Sequence, residues 1–317
     1  MEYASFYNSI LNITSCVNIP VKLFTLYVIV TKTPRHLRHD SFFILDVMFW
    51  NILGNALLAV AHPLPVYAAQ CFRFEGLLGH ISDRKTVAIA LYLALAVIAL
   101  HWAVGLILAF LYRYFSFVHP KLAAKIKPTS AFWLCAVVHF VSKTTLLVLF
   151  FFANDSYYND PNNEGDLQNS HLMFCFATLS WDRFFLATLG FLGFIVIVTL
   201  ASFLFREISR SEGIVHAETL QIQRRLLWNL IILTSIVLLF GGIPIIITVT
   251  LASFPYFPQA NTIFIVSIVV GANHGTIYAI ATLILFKPYR HAVSKMLGRV
   301  QSRFSRKNVI SVKVRSA

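Results

Sequence analysis

Seven stretches of the chain are almost unbroken in apolar residues, and short polar gaps separate them. They cover residues 11–30, 41–67, 86–112, 130–152, 184–205, 226–251 and 261–286. A hydrocarbon core of about 30 Å takes roughly 20 residues of helix. Lipid offers no partner to a backbone N–H or C=O, so each run predicts a membrane-spanning helix with its hydrogen bonds closed internally. The second run ends in His62-Pro63-Leu64-Pro65, the sixth contains Pro244, and Lys22 and Arg183 lie in or beside the first and fifth. The first run lacks a basic region before it and is too long for a signal core, so it predicts a retained first span. The pattern gives an all-α membrane protein. Residues 1–286 form a seven-transmembrane helix bundle, and residues 287–317 form a basic tail.

Composition strengthens this reading. Of 317 residues, 58% are hydrophobic and 12% charged, against roughly 45–50% and 25% in soluble domains. Mean hydropathy is +0.72. The formal charge of +13 would suggest nucleic acid in a soluble protein. Here the basic residues fall in gaps and tail, so the bilayer is the partner and nucleic acid is not.

The charge distribution also sets the topology. The first, third and fifth gaps and the tail hold Lys32, Arg35 and Arg38; Arg113, Lys121, Lys125 and Lys127; Arg206, Arg210, Arg224 and Arg225; and nine more from Lys287 to Arg315. The other side has only Arg73, Arg84 and Lys85 in its loops, and its larger loop carries Asp155, Asp160, Glu164, Asp166 and Asp182. Positive residues mark the cytoplasmic side, so the tail lies inside and an odd span count puts the amino terminus outside. In the tail, Tyr289, Ala292, Val293, Met296, Leu297, Val300 and Phe304 follow helical spacing between basic residues. They predict a short amphipathic cytoplasmic helix on an anionic leaflet, with Pro288 in its first turn.

Polar residues inside spans are expensive and mark function or interhelical bonds. They are Lys22, Asp46, Asn51, Asn55, His62, His101, His139, Lys143, Asn273 and His274. Lys22 and Lys143 are candidates for snorkelling. Asp46 is a candidate partner for Arg113, which closes the third span. His101, Trp102 and Lys143 lie where an outer-half cavity would open, and Lys143 there suits an anionic or carbonyl ligand. Cys71 and Cys175 fall in outer, oxidising loops and are a candidate disulfide, whereas Cys16 and Cys135 lie within spans. Asn154-Asp155-Ser156 is a glycosylation sequon, and Asn12-Ile13-Thr14 a second. The histidines are scattered singly, with no metal-ligand spacing, phosphate loop or nucleophile elbow. A metal, a cofactor and a catalytic residue are therefore not expected.

Several strings add a resemblance. Tyr27-Val28-Ile29-Val30-Thr31-Lys32-Thr33-Pro34, Gln221-Ile222-Gln223-Arg224-Arg225-Leu226-Leu227, Ile243-Pro244, His274-Gly275-Thr276 and Phe286-Lys287-Pro288-Tyr289-Arg290 together resemble the nematode serpentine chemoreceptors. Class H (Srh) is the best match, with the Str and Sri classes as neighbours. The resemblance implies a seven-transmembrane G-protein-coupled receptor at the plasma membrane, in sensory neuron cilia. It further implies a small-molecule ligand and a heterotrimeric G protein; Arg113, by its position, and Arg224 and Arg225 of the basic third inner loop are the candidate contacts for that G protein. Rhodopsin-like receptors differ: Tyr112 replaces their acidic residue before the span-three arginine, and no N-P-x-x-Y string is present. A channel or transporter is the alternative, and would need its charges to line one path. A membrane scaffold is a third class, with an obligate partner instead of a ligand.

Overall fold

The computed structural model describes residues 2–34, 37–66, 71–78, 85–119, 121, 125, 128–154, 172–175, 181–210, 217–252, 257 and 259–299. The first five spans are α1 (Glu2–Lys32), α2 (Arg38–Ala61), α3 (Lys85–Val118), α4 (Pro128–Asn154) and α5 (Trp181–Arg210). The sixth comprises α6 (Ala217–Val237), a π turn (Leu238–Gly242) and α7 (Ile243–Ala252), and the seventh is α8 (Ala260–Leu285). Among the described residues, seven helices are long and apolar enough to cross a membrane. A final helix, α9, covers residues 287–299. The protein is a seven-transmembrane bundle with a short helix after the last span.

The π turn has a local cause. Pro244 lacks the N–H that would bond the carbonyl of Phe240, and its ring crowds that carbonyl. The ladder widens instead, and the Ile243 N–H reaches the carbonyl of Leu238, an i→i+5 bond.

Two boundaries depart from the hydropathy reading. The second span stops at Ala61 and does not run to residue 67. His62 caps it with φ 43°, its N–H on the carbonyl of Leu58, because a residue before proline is driven out of the α region. The first span begins about two turns earlier than residue 11. Tyr7 and Leu11 are buried against Leu64, Phe264 and Ile265, so α1 continues up to a cap over the bundle.

That cap is a three-stranded antiparallel sheet, which hydropathy did not reveal. Its strands are β1 (Pro63–Val66), β2 (Cys71–Phe74) and β3 (Met173–Cys175), in the order β1-β2-β3. Cys71 stands opposite Cys175 in the register, and Cys71 is disulfide-bonded. Cys16 and Cys135 are free. The largest core cluster lies at the opposite end of the bundle, here called the tail face, where α9 emerges. There Val28, Val47, Met48, Phe110, Leu227, Tyr278 and Tyr289 pack together. Outside it, Trp133, Phe140 and Phe151 of α4 stay at least 62% exposed, as expected of side chains facing lipid.

Candidate functional site

The polar residues inside the bundle collect in three places along its axis. The deepest hub joins α1, α2 and α8. Asn18 and Asn55 both donate to the carbonyl of Ala272, each at 3.1 Å, and Thr276 donates to Asn18 Oδ1 at 2.6 Å. Lys22 is fully buried and donates from Nζ to the carbonyl of Asn51 at 3.3 Å, so it does not snorkel. Asn51 donates to the carbonyl of Val47 at 3.0 Å. Gly275 allows this approach, since a Cβ there would stand 2.3 Å from Asn51 Oδ1 and 2.6 Å from Lys22 Nζ. The neighbouring His274 bonds the carbonyl of Gly271 through Nδ1 and lies over Gly241 of the π turn.

A second hub joins α2, α3 and α4. His139 Nε2 donates to Asp46 Oδ2 at 2.9 Å, and Trp50 Nε1 donates to the other carboxylate oxygen at 3.2 Å. His101 stacks on His139 with ring centres 4.6 Å apart and planes 7° apart, and Trp50 packs against both, its ring centre 4.0 Å from that of His101 and 5.7 Å from that of His139. His101 Nδ1 bonds the carbonyl of Val97 at 2.7 Å. Lys143 is close enough to act on His101 electrostatically. Its ammonium lies 5.4 Å from the centre of the Phe140 ring, on the side of α4 that faces outward.

The third place is the tail face. Arg113 is 7% exposed and donates from Nη1 to both oxygens of Asp40, at 3.0 and 3.2 Å. The proposed Asp46–Arg113 pair is therefore incorrect. Six residues amount to about 600° of helix turn and 9 Å of rise, so Asp40 and Asp46 face different neighbours. The Arg113–Asp40 pair lines a cavity of about 30 Å³ with Phe43, Ile44, Leu230, Leu233 and Phe286. Beside it, the Tyr289 hydroxyl lies 2.9 Å from Thr33 Oγ1 and 2.6 Å from Ser41 Oγ. Burial pushes the Tyr289 phenol above its ordinary pKa, which keeps it a neutral hydrogen-bonding group.

At the capped end, His62 Nδ1 lies 3.0 Å from Asn8 Oδ1, and Asn8 Nδ2 donates to Glu75 Oε2 at 3.2 Å. Arg73 ion-pairs with Glu75, and Tyr7 donates to the carbonyl of Pro63 at 2.7 Å. His62 Nε2 is buried without a partner. Burial lowers the His62 pKa, against smaller upward pulls from the Ala59 carbonyl and Glu75.

Of the candidate ligand residues, His101 and Lys143 lie on one flank of α3. Trp102 lies on the other, against Gly54 and 4.4 Å from the His274 ring centre. Arg224 and Arg225 are exposed on the first turns of α6. Asn154 is the last residue of α4, and the rest of its sequon, like tail residues 300–317, lies outside the described residues. Asp40, Trp50 and Asn18 escaped the sequence reading, and Thr276 entered it only as the end of a string, with no polar role. Trp50 and Thr276 were legible in principle, one helical turn after Asp46 and directly after the His-Gly string.

No curated protein matches the chain. A family model described as "Serpentine type 7TM GPCR chemoreceptor Srh" matches residues 2–299, nearly the whole bundle together with α9. The polar hubs and the Tyr289 anchor thus lie within the matched region, and the chain belongs to the Srh family of serpentine seven-transmembrane chemoreceptors.

Proposed function

We propose that the protein binds a small organic ligand in the outer half of the bundle and signals through a heterotrimeric G protein. The amino terminus is extracellular and the tail face cytoplasmic, in the plasma membrane of a sensory cilium. Family membership across residues 2–299 carries this reading. His101, Trp102 and Lys143 are the ligand contacts on the two flanks of α3, and a Cys71–Cys175 bridge ties the cap to the outer loop. Asn154 is the glycan acceptor.

The tail-face geometry supports a switch. Arg113 and Asp40 tie α3 to α2 in the lining of the cavity that Leu230 and Leu233 of α6 also border. Ligand binding shifts a pre-existing equilibrium toward an arrangement in which this pair parts and Arg113, Arg224 and Arg225 meet the G protein. The test is heterologous expression with a promiscuous G protein, screened against volatile and water-soluble odorants. Ligand-dependent nucleotide exchange supports the reading. Ligand-dependent conductance in membranes free of G protein overturns it in favour of a channel.

A further inference from the structure

Among the described residues, no anion meets the requirements of the Lys143 cation. Its place in α4 is 11 residues from Asn154, about 16 Å along the helix axis, too far for its stem to carry the ammonium to the interface. Helices α3 and α4 contain no acidic residue. The two acidic residues of α2 are already engaged, Asp40 by Arg113 and Asp46 by His139 and Trp50. No hydrogen bond or ion pair of Lys143 is seen among the described residues; its contact is the Phe140 ring, itself 62% exposed to the hydrocarbon side. A cation–π contact at 5.4 Å holds the ammonium at that edge without neutralising it. Val141 and Thr144 flanking it are also exposed.

We propose that Lys143 is the recognition point for an aliphatic carboxylic acid that reaches the receptor sideways, from the bilayer. The proposal rests on the receptor reading above and names its ligand class. A carboxylic acid combines two required properties. As the neutral acid it partitions into hydrocarbon, and once it has given its proton to water it forms, as carboxylate, a charge-assisted pair with an ammonium. The parallel rings of His101 and His139, with Trp50 tilted against them, lie beside the pair, and the alkyl chain lies along the outward face of α4 over Phe140. The cap accords with a lateral route. Phe72 and Phe74 of β2 pack into the two apolar clusters beneath the sheet, so the described strands lie against that end of the bundle.

The test uses the full chain in nanodiscs of zwitterionic lipid. The probes are a straight-chain acid series, the matching primary alcohols and the matching methyl esters, and thermal unfolding reads binding directly. Acids are expected to raise the unfolding temperature while alcohols and esters of equal length do not. Lys143→Met is expected to weaken acid binding by about tenfold or more, and Lys143→Arg to retain it. Equal shifts from acids and esters, or an undiminished acid shift in Lys143→Met, overturn the proposal. If Lys143→Met does not fold, the acid-against-ester contrast in the unaltered chain decides. A parallel arm measures G-protein nucleotide exchange with the same probes. Lys143-dependent acid binding without exchange sinks the signalling reading and leaves this site standing; exchange driven by other odorants with no acid binding does the reverse.

Discussion

Replacing Gly275 with alanine tests the deepest hub. The added methyl would stand 2.3 Å from Asn51 Oδ1, 2.6 Å from Lys22 Nζ and 2.8 Å from Asn51 Cγ, well inside van der Waals contact. Asn51 cannot swing aside cheaply, because it is fully buried and its amide is bonded to the carbonyl of Val47. Lys22 is equally enclosed. Overpacking a filled core costs about 1–3 kcal/mol, and contacts this short place the change at the upper end. Alanine in a helix returns about 0.5–1 kcal/mol relative to glycine. The expected net loss is about 2 kcal/mol, read as a drop of several degrees in fluorescence-monitored thermal unfolding in nanodiscs. Gly193→Ala is the control. Its Cβ would meet nothing within 4 Å, so it keeps the helix gain without the clash and leaves the unfolding temperature unchanged or slightly higher. If Gly275→Ala unfolds no earlier than Gly193→Ala, the hub is not packed as described and the argument for the His-Gly string fails.

Three further outcomes are expected. Tyr289→Phe keeps the ring but removes the hydroxyl shared by Thr33 and Ser41, at about 1–3 kcal/mol; amide exchange should quicken in residues 287–299, and unchanged exchange there would show that α9 is held by packing alone. Asp40→Asn weakens the hold on Arg113 and should raise nucleotide exchange without ligand; a basal rate equal to that of the unaltered chain would remove the pair from the switch. His62 has a folded-state pKa below its ordinary value of about 6.5, so its unfolded form binds the extra proton. Its stabilising contribution is therefore full above about pH 6.5 and is lost as pH falls through the lowered folded-state pKa. Unfolding temperature should decline over that acid window, and His62→Gln should flatten the decline; an equally steep decline in the variant would assign the pH dependence elsewhere.

How far the sequence was legible follows from the physics of each element. Spans were readable because hydrocarbon demands a fixed length of apolar helix whatever the partners. The cap was not, because Pro63–Val66 and Cys71–Phe74 are four residues each. The first of them continues the apolar run, so only the proline after His62 marked the helix end. The polar inventory was readable residue by residue, but its pairing was not. Pairing depends on helix phase, and a shift of a few residues sends Asp40 to Arg113 and Asp46 to His139. His101 and Trp102 illustrate the same point: adjacent in sequence, they are about 100° apart on α3 and face different spans.

Four of the strings that carried the family resemblance lie where spans touch. Thr33 of the Lys-Thr-Pro string meets Tyr289 of the Lys-Pro-Tyr-Arg string, although 256 residues separate them. Gly275 of the His-Gly string is the close-approach point for Lys22 and Asn51. Ile243-Pro244 makes the π turn whose Gly241 lies under His274. Each of these four strings therefore fixes where two distant spans meet, and a requirement of that kind is independent of which odorant is sensed. Ligand discrimination then belongs to positions outside the strings, and the α2–α4 hub with Trp50, His101, His139 and Lys143 is such a set. Exchanging Lys143 for methionine, which removes the charge, should change which chemical class elicits a response while leaving the unfolding temperature nearly unchanged. Exchanging Tyr289 or Gly275 should lower the unfolding temperature and diminish responses to every class alike. A ligand-selective effect of Gly275→Ala at unaltered stability would contradict this division between frame and site.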